Sequence, residues 1–149
     1  MKRLIVILSL GLSFSGLLGA QSESDSLAVM KTVALYNQGW YEGDADKMAR
    51  ALHPELIKRV IVRDKSSGQD IVSTISFDTM VHYAEAGTGK NTPRELQNDT
   101  VTILDICGQI ACVKVEAYDL VDYLQLAKIQ GEWKILNVLW MAKATGDRH

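Results

Sequence analysis

The C-terminal part of the chain alternates between apolar and polar residues over long stretches. Alternation with a period of two is typical of strands that bury one face. The pattern predicts four strands in meander order: Thr100–Cys107, Ile110–Tyr118, Val121–Gln130 and Glu132–Lys143. Gln130 and Gly131 would form a two-residue turn between the last two strands, because glycine tolerates the positive φ that such turns require.

Before residue 99, the apolar residues recur mainly at helical spacing. Three helical segments are predicted: from Ser24 or Ser26 to Trp40, from Asp44 to Leu52, and from Phe77 to Ala86. Two more strands, Leu56–Arg63 and Asp70–Ile75, flank a turn rich in Asp, Ser and Gly. The order predicts an α+β domain in which three N-terminal helical segments cover a strongly curved antiparallel sheet.

The last predicted hairpin places polar groups on an apolar face. In the register set by its turn, Leu124 lies opposite Asn137. The face that we expect to point inward carries Asp122, Leu124, Leu126, Lys128, Trp133, Ile135, Asn137, Leu139 and Met141. Asp122 and Asn137 are costly to bury without hydrogen bonds, so they either serve a ligand or satisfy each other.

The N-terminus has the pattern of a secretory signal peptide. Lys2 and Arg3 precede an uncharged stretch that ends at Ala20, and the chain becomes polar at Gln21. We expect cleavage after Ala20, export to the periplasm or the exterior, and a single domain over residues 21–149. The apolar stretch is at the short limit for a membrane span, so no stable membrane insertion is expected after cleavage.

Charge and motifs exclude several classes of function. Without Lys2 and Arg3 the chain has 14 basic and 18 acidic residues and no basic stripe, so nucleic acid is not an expected partner. The sequence has no glycine-rich phosphate loop and no paired histidines at metal spacing. We therefore expect neither a metal nor another cofactor.

Cys107 and Cys112 flank a turn in what would be an oxidising compartment. A two-residue turn at Gly108-Gln109 would place them diagonally, at a separation that strains a disulfide, whereas a four-residue loop would place them opposite each other. A disulfide and two packed thiols both remain open on this pattern.

Several short motifs accompany this order of elements. They are Tyr36-Asn37-Gln38-Gly39, Gly43-Asp44, His53-Pro54, Asp122-Tyr123-Leu124 and Gly131-Glu132-Trp133-Lys134-Ile135-Leu136-Asn137. From Ser26 to Lys143 the chain resembles the NTF2-like superfamily, and within it the putative lumazine-binding branch. The resemblance implies a cone with a pocket between helices and sheet. The superfamily includes ketosteroid-isomerase-like and polyketide-cyclase-like (SnoaL-like) enzymes beside binding and scaffolding members, so the fold alone does not give the activity.

Two residues are candidates for proton transfer. Burial of Asp122 would make its carboxylate a stronger base, and the structural alternative is a carboxylate bonded to Asn137 or to helix backbone. His53 lies where the second helix meets the sheet. It could reach the pocket mouth as an acid or base, or instead serve as a cation at the helix C-terminus.

Aromatic residues are the candidates for ligand contact. Tyr36 and Trp40 belong to the apolar stripe of the first helix, where one of them would line any cavity although core packing is the default. Trp133 and Asn137 are the candidates on the sheet. Trp140, on the opposite hairpin face, would suit a homodimer contact. Small inward residues on the strand Ile110–Tyr118 would leave volume beside these side chains.

Three hypotheses of function follow. The first is an exported homodimer that binds a small, largely apolar or aromatic molecule. The second is a ketosteroid-isomerase-like or polyketide-cyclase-like enzyme, with Asp122 or His53 moving a proton and Asn137 or Tyr36 stabilising an enolate oxygen. The third is a protein-interaction module with a filled cone. An open cavity, a convergent polar triad and a filled cone would distinguish the three.

Overall fold

The protein is described by a computed structural model that covers residues 15–143, with side chains from residue 23. Its main elements are α1 (Ser15–Glu42), α2 (Ala45–Ala51), β1 (Leu52–Arg63), β2 (Asp70–Ser76), α3 (Phe77–Glu85), β3 (Thr100–Cys107), β4 (Ile110–Glu116), β5 (Leu120–Ile129) and β6 (Glu132–Ala142). Most of the predicted signal peptide, residues 1–20, lies outside the described residues. Between residues 15 and 143, no helix is both long and apolar enough to cross a membrane.

The six strands form one curved, unclosed sheet in the order β2-β1-β6-β5-β4-β3. All neighbours are antiparallel except β1 and β6, which are parallel. The three helices pack on this sheet, which confirms the predicted α+β class. Because β1 and β6 are adjacent, the N-terminal hairpin extends the C-terminal meander, and α1 packs across the inner face.

Side-chain caps define where two helices begin. The Asp44 carboxylate accepts a hydrogen bond from the Lys47 amide at 2.9 Å and starts α2. The Ser76 hydroxyl accepts one from the Thr79 amide at 3.3 Å and starts α3. Both starts were predicted. The predicted start of α1 at Ser24 or Ser26 is wrong: the helix begins at Ser15, and residues 20–38 contain no proline or glycine that would interrupt it.

The core lies between α1 and the inner sheet face. Val29 and Val33 of α1 are fully buried, and they belong to one cluster with Val113 and Val115 of β4. The side chains of β4 that face inward are small, as predicted. Small residues on this strand leave the space between helix and sheet incompletely filled.

A β-bulge at Leu136 changes the register of the last hairpin. From Ile129–Glu132 to Leu126–Ile135 the pairs are those predicted, but the next pair is Gln125 with Asn137. Leu136 is therefore an extra residue in β6, and every side chain beyond it changes face.

The bulge overturns part of the predicted inner face. Leu124 lies opposite Val138, and the predicted pairing of Leu124 with Asn137 is wrong. Val138 is buried, whereas Leu139 and Met141 are exposed, contrary to prediction. Asn137 lies on the outer face, so the predicted pair of inward polar residues does not exist. Asp122 does face inward, as predicted, and is 2% exposed.

The two cysteines flank a two-residue turn. Cys107 pairs with Ile110, and Cys112 lies opposite Asp105, which makes the cysteines diagonal neighbours. Both thiols are free in the structure. This is the geometry in which the sequence predicted strain for a disulfide.

Candidate functional site

A cavity of about 200 Å³ lies between the helices and the concave face of the sheet. Its inner wall is formed by Tyr36, Trp40, Lys58, Val115, Ala117, Asp122 and Trp140. Nearer to solvent, it is lined by Tyr41, Tyr83, Thr88, Asp99 and Asp119. The wall is mainly apolar, and its polar side chains are concentrated at the floor and at the mouth.

Three buried side chains form a hydrogen-bonded network at the floor. Tyr36 and Lys58 are each 5% exposed. The Lys58 Nζ donates to the Tyr36 hydroxyl at 2.7 Å and to the two carboxylate oxygens of Asp122 at 2.9 and 3.0 Å. The Tyr36 hydroxyl donates to Asp122 Oδ2 at 2.9 Å. Each member is therefore satisfied by the other two, which offsets the cost of burying the charges.

Strand alternation assembles this network. Lys58 lies between the inward residues Leu56 and Val60 on β1, and β6 separates β1 from β5. Trp140 of β6 is the partner of both Val60 and Asp122. The Lys58 side chain reaches toward Asp122 with its Nζ 5.2 Å from the centre of the Trp140 ring, a distance typical of a cation–π contact.

Burial and the neighbouring Asp122 carboxylate shift the pKa values of Lys58 and Tyr36 at the cavity floor. Burial lowers the pKa of Lys58, and the Asp122 carboxylate opposes this shift. Burial, with the adjacent Asp122 carboxylate, raises the pKa of Tyr36 well above its usual value. Tyr36 therefore remains a neutral hydroxyl that can both donate and accept at physiological pH.

A second polar pair lies near the mouth. The Tyr41 hydroxyl donates to Asp99 Oδ1 at 2.7 Å. Burial raises the pKa of Asp99, as does repulsion from Asp122 and Asp119, while the Tyr41 hydrogen bond and Lys143 act in the opposite direction. Burial and the bond to Asp99 also raise the pKa of Tyr41 far above its usual range.

The predicted site residues divide between the cavity and other places. Asp122, Tyr36 and Trp40 all line the cavity. His53 does not, and its Nδ1 accepts a hydrogen bond from the Glu55 amide at 3.2 Å. The expectation that His53 reaches the mouth is wrong, because its neighbour Leu52 takes the inward position at the start of β1 and is 1% exposed.

Trp133 and Asn137 also lie outside the cavity wall. Trp133 faces inward but pairs with Lys128, six residues further along β5 than Asp122, and its Nε1 donates to Asp25 at 3.2 Å. Lys128 donates to the same Asp25 oxygen at 2.6 Å, and this bond lowers the pKa of Asp25. Asn137 lies opposite Gln125 on the outer face because of the bulge, so it neither lines the cavity nor bonds Asp122.

Sequence reasoning missed Lys58 and misplaced Trp140. The sequence did contain a signal for Lys58, because alternation places it on the same inward face as Leu56 and Val60. A buried acid on a nearby strand also requires a partner of opposite charge. Trp140 was expected on the outer face at a dimer contact, but it lines the cavity. Among the described side chains, its Nε1 is the one buried polar atom without a hydrogen-bond partner.

Between residues 23 and 143, no three His, Cys, Asp or Glu side chains are grouped so that they could hold a metal ion.

The fold is shared with NTF2-like proteins of known structure. One, of unknown function, from Silicibacter pomeroyi DSS-3, has 16% sequence identity and a TM-score of 0.62, with 82% of this chain and 98% of that chain covered. Another, from Methylobacillus flagellatus KT, has 20% identity and a TM-score of 0.57, with 91% and 98% covered. A putative scytalone dehydratase from Novosphingobium aromaticivorans DSM 12444 has 14% identity and a TM-score of 0.52, with 88% and 92% covered. At these identities the likeness shows the fold, described for related structures as NTF2-like and cystatin-like.

The sequence itself identifies the branch of this superfamily. Residues 24–141 match the family described as "Putative lumazine-binding", and the chain belongs to that family. No curated protein matches the chain. The resemblance inferred from the motifs is thus confirmed, and it supports a small-molecule-binding fold.

Proposed function

We propose that this protein is exported and binds a small aromatic or largely apolar molecule in the cavity between α1 and the sheet. The observation that carries the proposal is the cavity itself, about 200 Å³ in volume with aromatic walls. An apolar protein cavity of about 150 Å³ is large enough for benzene. Export rests on the signal-peptide pattern of residues 1–20.

The hydrogen bonds at the floor favour binding over catalysis. Both oxygens of Asp122 accept bonds from Lys58, and one also accepts from Tyr36. A general base needs a lone pair directed at the substrate, and an enolate stabiliser needs a free donor. In this arrangement, Asp122 and Tyr36 are engaged with each other. The open cavity likewise argues against a cone filled by its own side chains.

An enzyme remains the second candidate because a polar triad does converge inside the cavity. Tyr36, Lys58 and Asp122 form one connected network in its wall. In this version a ligand oxygen would accept a hydrogen bond that Lys58 or Tyr36 now donates to Asp122. The carboxylate of Asp122 would then be free to accept a proton. A ligand-bound crystal structure in which all of these internal bonds persist would exclude Asp122 as the base.

Filling the cavity tests the proposal. Ala117 lines the cavity and is 6% exposed, so Ala117→Phe would place a ring in the space that a ligand requires. Small aromatic fragments screened by ligand-observed NMR are expected to bind the wild type with dissociation constants of about 0.1–1 mM. They are expected not to bind Ala117→Phe.

The matched control for this experiment is Ala34→Phe. Ala34 is exposed on α1, so the substitution adds the same ring outside the cavity, and binding should persist. Circular dichroism would establish that both variants are folded. Equal fragment affinity for wild type and folded Ala117→Phe would refute the cavity as the binding site.

We also propose that the protein is a homodimer that associates through the outer face of its sheet. Tyr123, Leu139 and Met141 are 47%, 54% and 60% exposed there, and Tyr123 lies directly opposite Leu139 across β5 and β6. Contiguous exposed apolar side chains of this size mark interaction surfaces, and a two-fold dimer buries the same patch on both copies.

Leu139→Glu is expected to weaken such a dimer by at least about tenfold, because it would bury a carboxylate at the interface. Sedimentation velocity over a range of concentrations would measure the change. Leu27→Glu is the control, since Leu27 is 68% exposed on α1, away from the outer sheet face. A wild-type protein that sediments as a monomer at all concentrations would contradict the proposal.

A further inference from the structure

The charges in the cavity wall are unbalanced. Four charged side chains line it: Lys58, Asp99, Asp119 and Asp122. Lys58 is bound to Asp122 in the floor network, so Asp99 and Asp119 have no cationic partner within the wall. Lys143 approaches from outside the wall, where its Nζ donates to the Ala117 carbonyl oxygen at 2.6 Å. Asp99 and Asp119 therefore add two carboxylates without a cation in the wall to a mainly apolar cavity.

Aromatic rings are concentrated in the same wall. The sequence contains three tryptophans and five tyrosines, and five of these eight rings line the cavity: Tyr36, Trp40, Tyr41, Tyr83 and Trp140. The face of an aromatic ring carries partial negative charge and attracts cations. Two of these rings already do so, since the Lys58 Nζ is 5.5 Å from the Tyr36 ring centre and 5.2 Å from that of Trp140.

The raised pKa of Asp99 is consistent with the excess of negative charge in the cavity wall. Its carboxyl is partly buried, and the nearby carboxylates of Asp122 and Asp119 add to the rise of its pKa. The Tyr41 hydroxyl and Lys143 only partly offset these effects. A positive charge bound in the cavity would relieve the repulsion among the three carboxylates.

We propose that the natural ligand of this cavity is a small organic cation, an aromatic or alkylated ammonium compound of about ten non-hydrogen atoms. This inference rests on the proposed function, because it names the chemical class that the cavity binds. An anionic ligand would meet the carboxylates at the mouth. A neutral ligand would gain contact with the apolar wall but would bury Asp99 further without compensation.

Three probes of matched size test the charge preference. Phenyltrimethylammonium and tert-butylbenzene have the same shape and differ in charge, and benzoate supplies the negative counterpart. Titrations of wild-type protein followed by NMR should show the cation binding roughly tenfold tighter than its neutral isostere. Benzoate should bind more weakly than either.

Removal of the mouth carboxylates should abolish the preference. The double variant Asp99→Asn/Asp119→Asn keeps an acceptor for Tyr41 and is expected to bind the cation and the neutral probe with similar affinity. Asp105→Asn/Glu132→Gln is the control for overall charge, because it also removes two carboxylates, at exposed positions on β3 and β6 that are not part of the cavity wall. It should retain the preference of the wild type.

The pH dependence has a defined sign. A bound cation favours ionised Asp99, so its affinity for the wild type should rise as pH increases through the raised pKa of Asp99. The affinity of tert-butylbenzene should fall or stay constant over the same range. In the double variant, neither probe should show this dependence.

The outcomes distinguish failure of the cation inference from failure of the proposed binding function. If tert-butylbenzene binds as tightly as phenyltrimethylammonium, and Ala117→Phe blocks both, the cation inference is overturned while the cavity remains a binding site. If no probe binds, the cation inference fails, and the proposed binding function loses its support as well.

Discussion

Alanine in place of Asp122 is expected to lower the free energy of unfolding by about 3–5 kcal/mol, because it leaves a buried ammonium without its counter-charge. Lys58 is 5% exposed, so water does not readily replace the lost carboxylate. Urea unfolding at neutral pH would measure the loss. A cost below about 1 kcal/mol would contradict the description of Lys58 and Asp122 as a buried, mutually dependent pair.

The pH dependence of this variant identifies Lys58 as the cause. Burial lowers the pKa of Lys58, and Asp122 counteracts that shift in the wild type. Without Asp122, the folded state binds fewer protons than the unfolded chain between the lowered pKa and that of a free lysine, so stability rises with pH through this window. The deficit of Asp122→Ala should therefore shrink between about pH 7 and about pH 10.

A double substitution provides the control for this prediction. Lys58→Met together with Asp122→Leu replaces both charges with apolar side chains of suitable size. Such replacements of a whole buried pair are often neutral or stabilising. The double variant should recover part of the stability that either single change loses, because the buried Tyr36 hydroxyl then lacks both partners at a cost of about 1–3 kcal/mol. Its stability should not rise between about pH 7 and about pH 10.

Replacement of Trp133 by alanine is the second change with a large expected effect, about 3–5 kcal/mol of lost unfolding free energy. Trp133 is 4% exposed, belongs to the core cluster and donates to Asp25 through its indole nitrogen. The loss combines a large buried ring with a hydrogen bond that joins β6 to α1. Chemical denaturation monitored by circular dichroism would measure it.

The Trp133→Phe variant distinguishes the contribution of ring packing to stability from that of the hydrogen bond. It also tests whether Trp133 contacts a ligand. This variant keeps most of the buried ring and should cost only about 1–2 kcal/mol, because Lys128 still bonds Asp25. Trp133 is outside the cavity wall, so small-molecule affinity of the folded variant should equal that of the wild type. A tenfold weaker affinity would return Trp133 to the list of ligand-binding residues.

The order of elements was predictable because its signals are local. Asp44 and Ser76 cap their helices through their own side chains. Gln130 and Gly131 both adopt positive φ in the turn that fixes the start of the last hairpin. Such features depend on a few neighbouring residues, and the sequence displays them directly.

The candidate site was only partly predictable because it depends on long-range register. Asp122 was placed inward correctly, since β5 alternates without interruption. The bulge at Leu136 left no sequence signal, because Ile135, Leu136 and Val138 suit either face of the strand. Lys58 meets Asp122 only because β1 lies beside β6, and such a parallel pairing across the chain is not encoded by local pattern.

The bulge at Leu136 shifts the alternation of inward and outward side chains along β6 by one residue. The inward residues are odd-numbered before the bulge, as at Trp133 and Ile135, and even-numbered after it, as at Val138 and Trp140. If Leu136 were instead paired regularly with Gln125, the inner and outer faces of everything that follows would be exchanged, and Leu139 and Met141 would turn inward in place of Trp140. Deletion of Leu136 would leave the observed faces unchanged, because Asn137 would still pair with Gln125. For this sequence, the bulge therefore determines whether Trp140 lines the cavity or lies on the outer face of the sheet.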